Sequence, residues 1–278
     1  MLTNNNKFEA SPVPQTTGCK CCQAPADIAG VVDFSRCGAD MIAHVMATGR
    51  PVYPDSLITT KADPYLGWPI YFYRCRACGF TFTRAFDAWD QEMFARHVYN
   101  DDYLRHDPEY RTRHLEYAQL LVPRIGAVRQ QIRILDYGSG LGLLEQELKR
   151  QGFSDVESYD PFSSPQRPSG QFDLIICIEV FEHAPDPIAL MDDIRSFLKP
   201  ETGALFFSTL CCPQSVIDAG IGQWWYCAPR NGHISFYTPE CLEQLAYPRG
   251  LAYRRLDDYR HLMSHASKPH WLDGFIAP

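Results

Sequence analysis

The chain has 278 residues, of which 45% are hydrophobic, enough to bury a full α/β core and still supply a small second module. Its net charge of −7 argues against nonspecific affinity for nucleic acid, which needs clustered lysine and arginine. Eleven cysteines, an odd number, favour a reducing compartment with metal or free thiols over a disulfide framework.

Met1 to Gly18 is polar and proline-containing, without the basic start and apolar core of a signal peptide, and no apolar run is long enough to span a bilayer. A disordered tail over residues 1–18 is expected, on a cytoplasmic protein with no membrane contact. Cys19 and Cys22 form one CxxC pair. Cys75 and Cys78 form another within Y-R-C-R-A-C-G-F, a knuckle turn that aims thiolates at one point. Four thiolates suit a tetrahedral structural zinc. Cys21 is an alternative to Cys19 or Cys22, Cys37 is a lesser candidate, and a redox disulfide is the main rival; a dithiol pair works alone, however, whereas two separated pairs are explained by one shared metal. The other cysteines, Cys177, Cys211, Cys212, Cys227 and Cys241, read as buried thiols.

Arginines from Arg105 to Arg113 alternate with Asp107 and Glu109, which reads as a solvated helix face rather than a nucleic-acid contact. A linking helix is expected from Tyr110 to Val122, ending before Pro123. These features divide the chain into a zinc-binding module over residues 19–105 and a larger domain over 106–278.

The segment Ile132 to Gly142, I-R-I-L-D-Y-G-S-G-L-G, joins a buried strand to a helix through glycines just after a carboxylate. Gly138 and Gly140 let the turn take positive φ and let a ligand approach the backbone, beside the unpaired N–H groups of a helix over Leu141 to Gln151 that stops at Gly152. Glycines serving only a tight turn are the plainer reading. A dinucleotide fingerprint fails because Leu143 stands where its third glycine belongs, and the G-K-[ST] ending of a phosphate loop is absent. Asp136 would repel a pyrophosphate but suits a ligand with an ammonium and a sulfonium, as in S-adenosylmethionine. Val156 to Tyr159 reads as a second strand ending at Asp160, about 20 residues past the turn, where an acid can accept both ribose hydroxyls. A solvated loop aspartate is the alternative there.

Phe172 to Val180, F-D-L-I-I-C-I-E-V, is the near-continuous apolar run of a parallel strand covered on both faces. After it, Asp186 caps a helix with Pro187 at its first position, and Ile188, Met191, Ile194 and Leu198 form its buried stripe. Gly203 to Leu210 supplies a further strand, and Leu251 to Met263 is compatible with an edge strand. The alternation indicates a doubly wound, Rossmann-like α/β domain with a mostly parallel sheet, binding ligands beyond the carboxyl ends of its strands.

Together the L-D-Y-G-S-G-L-G turn, the Y-D-P ending, the F-D-L-I-I-C-I-E-V-F-E-H-A-P-D-P block and L-K-P-E-T-G-A-L-F-F resemble class I S-adenosylmethionine-dependent methyltransferases. The E-H-A-P-D-P version and the later H-I-S-F-Y-T-P-E-C-L are similar to a bacterial branch acting mostly on small molecules. The resemblance runs from Arg133 to roughly the C-terminus and implies S-adenosylmethionine as cofactor. One departure stands out: between Asp160 and Phe172 there is no room for the usual helix and third strand with its adenine-contacting acid, so the sheet is expected to be shortened there. The Cys-rich segment ahead of this domain also resembles sugar C-methyltransferases with an N-terminal zinc-binding domain, most closely over Tyr73 to Tyr110. Those enzymes have a large C-terminal domain that helps bind a nucleotide-linked sugar; the resemblance implies such an acceptor, and the end of the sequence at Pro278 counts against it.

The cofactor-binding candidates are Asp136, Tyr137, Gly138, Gly140, Asp160 and Glu179, and the metal ligands are Cys19, Cys22, Cys75 and Cys78. Glu179 lies within a strand, where a carboxylate needs a partner. Glu182 and His183 follow at the ligand edge, with His183 as a candidate base or a holder of the loop. The stretch Gly222 to Thr238 is dense in Trp, Tyr and Phe and reads as a lid or a packed hydrophobic loop. It brings His233 and Tyr237, the other catalytic candidates, just before Thr238, which caps a helix with Pro239 at its first position. Two function classes follow: methyl transfer to a small-molecule acceptor, possibly sugar-like, or a noncatalytic zinc-containing binding protein with a degenerate fold. The acceptor, the atom methylated and the oligomeric state are not written in these motifs.

Overall fold

The computed structural model describes residues 13–38, 65–101, 103–163 and 166–276. In chain order its strands are β1 (Thr16–Gly18), β2 (Pro25–Asp33), β3 (Pro69–Cys75), β4 (Thr81–Thr83), β5 (Ile134–Tyr137), β6 (Val156–Tyr159), β7 (Leu174–Ile178), β8 (Ala204–Ser208), β9 (Ser235–Phe236), β10 (Ala252–Arg255) and β11 (Arg260–Ser264). The α-helices are α1 (Gln91–His97), α2 (Tyr103–His106), α3 (Arg113–Ile125), α4 (Leu143–Arg150), α5 (Pro187–Phe197), α6 (Gln214–Ala219), α7 (Pro239–Ala246) and α8 (Asp273–Ile276).

The larger sheet has the order β10-β11-β8-β7-β5-β6. Its four strands β6, β5, β7 and β8 are parallel, and β11 and β10 close it as an antiparallel hairpin. Strand order reverses between β5 and β7, which opens a crevice at their carboxyl ends. The sheet ends at β6, with no strand or helix among the described residues between Tyr159 and Leu174, as the short spacing after Asp160 predicts.

Both faces of this sheet are covered. Leu121 and Ile125 of α3, Leu144 and Leu148 of α4 and Phe275 of α8 pack on one side with Ile134, Ile176 and Phe206. Met191 and Ile194 of α5 and Leu242 and Leu245 of α7 pack on the other with Leu135, Ile175 and Phe207. Such double coverage explains the unbroken apolar run of β7. Asp186 starts α5 by accepting from the Ile188 and Ala189 amides, each at 3.0 Å, with Pro187 at the first helical position.

The smaller sheet, β1-β2-β3-β4-β9, is antiparallel. Its last strand comes from the distant segment Ser235–Phe236, so the boundary expected at residue 105 does not separate two self-contained sheets. The two halves share one apolar cluster containing Cys19, Cys75, Phe80 and Phe82 together with Phe181, Phe207 and Tyr237.

Three expectations are corrected. Thr16–Gly18 pairs with Pro25–Asp27 as β1, so a disordered tail does not extend to residue 18; its first twelve residues lie outside the described residues. Pro123 lies inside α3, which runs on to Ile125, because Leu121 and Ile125 are both fully buried on the sheet and the missing N–H falls in the last turn. The C-terminal stretch forms two strands, not one: β11 is interior, and only β10 is an edge.

Among the described residues no helix is long and apolar enough to cross a membrane.

Candidate active site

The turn after β5 carries Gly138, Gly140 and Gly142 at φ of 74°, 53° and 65°. A Cβ on Gly138 would lie 2.3 Å from Val180 Cγ2, and one on Gly140 would lie 2.2 Å from the Tyr110 hydroxyl. The turn is therefore held between the loop after β7 and a tyrosine from the segment ahead of α3. Asp160, at the end of β6, accepts from the Gly140 amide at 2.8 Å through Oδ2 and from the Phe162 and Ser163 amides at 2.8 and 3.2 Å through Oδ1. Its carboxylate fixes the turn, and lone pairs remain for ligand hydroxyls.

Asp136 is buried, and its Oδ2 has no hydrogen-bond partner. Burial first, then the neighbouring Glu145 and Asp160 carboxylates, push its pKa up to about 7. An orphaned carboxylate oxygen beside a glycine cradle fits a ligand that brings positive charge and close backbone contact, as S-adenosylmethionine does. Tyr137 contributes only backbone to this edge. Its side chain points into the core against Tyr159 and Phe197, and its hydroxyl donates to Asp193 at 2.8 Å.

Glu179 follows β7 at φ 52°, a left-handed conformation unusual for a non-glycine residue. Ser208 at the end of β8 holds it there, accepting from the Glu179 amide at 2.9 Å and donating to its Oε1 at 2.8 Å. Glu182 is wholly buried with neither carboxylate oxygen partnered. Burial and then Glu179 raise its pKa well above the carboxylate range. His183 places Nε2 3.8 Å from Glu182 Oε1 and Nδ1 3.1 Å from the Tyr99 hydroxyl. His233 lies across from it, ring centroids 4.9 Å apart, and donates through Nδ1 to the Tyr226 carbonyl at 2.9 Å. Burial lowers the pKa of both imidazoles, that of His183 strongly, so both are neutral near pH 7.

The structure thus brings His183 and His233 together with Glu179 at the crevice. It does not bring Tyr237, a correction to the sequence reading: that residue is fully buried against Phe80 and Phe181, and its hydroxyl is spent on the Phe181 carbonyl at 2.9 Å. The aromatic stretch Gly222 to Thr238 is packed rather than open, with Tyr226 buried against Trp224, His233 and Phe236. Sequence reasoning left out Tyr99 and Tyr110 as site residues, took Tyr226 only as part of the aromatic stretch, and placed Glu182 at the ligand edge without a chemical role. A cleft of about 710 Å³ lies between α3 and the β10–β11 turn, lined by Glu116, Tyr117, Arg255, Asp258, Tyr259 and Arg260 among others. The Tyr259 and Tyr226 rings are 6.4 Å apart, which brings one wall of the cleft near Glu179.

Cys19, Cys22, Cys75 and Cys78 form one cluster, and Cys21 and Cys37 stand outside it. Their sulfurs are separated by 3.4 Å (Cys22 to Cys75), 3.6 Å (Cys22 to Cys78) and 3.7 Å (Cys19 to Cys78). These exceed a disulfide bond and approach the roughly 3.8 Å between sulfurs placed tetrahedrally at 2.3 Å around zinc. The Cys21 amide points at Cys19 Sγ from 3.3 Å, and the Ala77 and Cys78 amides point at Cys75 Sγ from 3.4 Å, a donor pattern that favours thiolates. The donor set fits the metal.

A family model described as a methyltransferase domain matches residues 109–256, more than half of the chain. The chain belongs to this methyltransferase family. Its curated relatives include proteins named ubiquinone biosynthesis O-methyltransferase, from Acinetobacter baylyi, 30% identical over 118 residues, and from Xanthomonas axonopodis pv. citri, 32% identical over 123 residues. These alignments cover 32% and 34% of this methyltransferase and 49% and 48% of the relatives, so the chain spans about half the length of the curated relatives it matches. Among solved structures it is similar to magnesium protoporphyrin IX methyltransferase from Synechocystis PCC 6803 with bound SAM, at 15% identity and a TM-score of 0.42 over 63% of this chain and 96% of that one. It is also similar to the plantazolicin methyltransferase in complex with SAH, at 15% identity and a TM-score of 0.44 over 63% and 95% of the two chains.

Proposed function

We propose that this methyltransferase transfers a methyl group from S-adenosylmethionine to an oxygen of a small hydroxylated acceptor. The observation that carries the reading is the convergence, at one crevice, of the glycine turn with the orphaned Asp136 oxygen and of Glu179, His183 and His233. Asp136, Gly138 and Gly140 would hold the methionine end of the cofactor, and Asp160 its ribose hydroxyls. When bound, the cofactor supplies a methyl carbon on a sulfonium, open to in-line attack. The protein then has to align the acceptor and draw off its proton.

His183 and His233 are suited to the second task because burial keeps them neutral. The Nδ1 of His233 is engaged by the Tyr226 carbonyl, which leaves Nε2 as its basic atom. The cleft beside Tyr117 and Tyr259 is the approach we assign to the acceptor, and its volume suits a small molecule. The names of the curated relatives, both O-methyltransferases, favour oxygen as the atom methylated. In the same reading the four clustered cysteines hold a structural zinc.

Calorimetric titration with S-adenosylhomocysteine tests the cofactor site. Saturable binding by the wild type and at least tenfold weaker binding by Asp160→Ala are expected; absence of binding, or equal binding by the variant, would sink the reading.

A further inference from the structure

Glu182, His183 and His233 lie apart from the cysteine cluster, and one donor atom from each falls within 4.8 Å of the others. The Nδ1 of His233 donates to the Tyr226 carbonyl at 2.9 Å, which leaves its Nε2 bare; His183 turns Nε2 towards Glu182 and offers it as a ligand in the tautomer whose Nδ1 donates to the Tyr99 hydroxyl at 3.1 Å. Glu182 is 0% exposed, and neither of its oxygens has a partner. A buried carboxylate in that state is costly unless something cationic meets it. A divalent cation shared with the two imidazoles is one remedy, and a proton on Glu182 donated to a ring nitrogen is the other.

We propose that Glu182, His183 and His233 form a divalent metal site, one carboxylate and two imidazoles, distinct from the four-cysteine cluster. The 3.8 Å between His183 Nε2 and Glu182 Oε1 is slightly wider than the roughly 3.0–3.5 Å expected of two donors on one ion, so closure needs only side-chain adjustment. The Tyr226 carbonyl fixes the tautomer and ring plane of His233, as outer partners of metal-bound histidines do. Nitrogen and oxygen donors with open positions suit manganese, iron, cobalt or zinc, whereas the soft thiolates of the other cluster select zinc. The site lies beside Glu179 in the crevice, so an acceptor hydroxyl on the ion would be acidified and aligned, and with the ion bound the two imidazoles serve as its ligands in place of the proton-accepting role given them above; this role, but not the metal site itself, rests on the methyl-transfer reading.

The test uses full-length protein with its cysteine cluster loaded with zinc, titrated with Mn²⁺ while free Mn²⁺ is followed by electron paramagnetic resonance. One saturable Mn²⁺ per chain is expected. Glu182→Gln and His233→Gln should each weaken it at least tenfold, with zinc content and near-ultraviolet circular dichroism unchanged. If Glu182→Gln misfolds, His233→Gln decides, since its amide can still donate to the Tyr226 carbonyl. No saturable Mn²⁺ in the wild type, or wild-type affinity in a folded variant, overturns the proposal. Separate titration with S-adenosylhomocysteine keeps the two readings apart: Mn²⁺ binding without it supports the metal site and counts against methyl transfer, and the reverse overturns the metal site alone.

Discussion

Burial of the Asp136 carboxylate beside Glu145 and Asp160 raises its pKa from 3.8 to about 7, so the ligand-free folded protein keeps a proton there that the unfolded chain releases near pH 4. Between those values the folded state binds more protons than the unfolded one, and stability falls as pH rises through that window, levelling off above about pH 7. The full penalty is on the order of 4 kcal/mol. Asp136→Asn should therefore raise the melting temperature of the cofactor-free protein at pH 8, by about 1–3 kcal/mol of stability, and the gain should fade as the pH approaches 4. Thermal melts across this range check it, and a gain independent of pH would refute the electrostatic explanation. The same variant should bind S-adenosylhomocysteine at least tenfold more weakly, because the ammonium loses its counter-charge. In the wild type that binding should strengthen from pH 5 to pH 7 as the carboxylate ionises, which calorimetry at several pH values would reveal.

The strand-to-helix turn between β5 and α4 owes its shape to two glycines with different neighbours. At Gly138 an added Cβ meets Val180 Cγ2 at 2.3 Å, with Cγ1 and Cβ at 3.3 and 3.4 Å, and a β-branched side chain in a packed loop cannot swing away. At Gly140 the obstacle is the Tyr110 hydroxyl at 2.2 Å, the far end of a longer side chain. Gly138→Ala should cost roughly 2–4 kcal/mol of stability and abolish cofactor binding. Gly140→Ala should weaken binding, and Tyr110→Phe in the same chain should restore part of it; binding titrations of the three variants check this, and no rescue would show that strain at positive φ, not the hydroxyl, is responsible. Such local signals are what made this region legible in the sequence: the glycines after Asp136, the Asp186–Pro187 and Thr238–Pro239 helix starts, and the short interval after Asp160 each act over a few residues. The rest depends on chain segments meeting from afar. Tyr99 reaches His183 across 84 residues, and β9 is a two-residue strand recruited by β4. No periodicity announces either, and none marks Glu182 as a buried carboxylate facing two imidazoles.

At the scale of the whole molecule, the cysteine cluster is built into the larger domain rather than tethered to it. Lys20 donates to the Pro185 carbonyl at 2.9 Å, and Thr238, while capping α7 through the Cys241 amide at 3.1 Å, donates to the Cys78 carbonyl at 2.6 Å. The knuckle carrying Cys78 is thus bound to the start of a helix that covers the larger sheet, and the shared apolar cluster runs on both sides of that contact. A metal held by the four thiolates would therefore stabilise both sheets, and its loss would be felt in both. The tryptophans allow this to be read separately. Trp89, Trp224 and Trp225 pack on the apolar cluster of the smaller sheet, and Trp271 packs beneath the larger one. In a Trp271→Phe variant, fluorescence follows the first sheet while circular dichroism at 222 nm is weighted towards the helices of the second. Coincident midpoints are expected for the zinc-loaded protein, and a chelator strong enough to strip the cluster should lower both together by about 10 °C. Fluorescence melting well before the helices would mean two independent units, and the shared cluster would then carry no cooperativity.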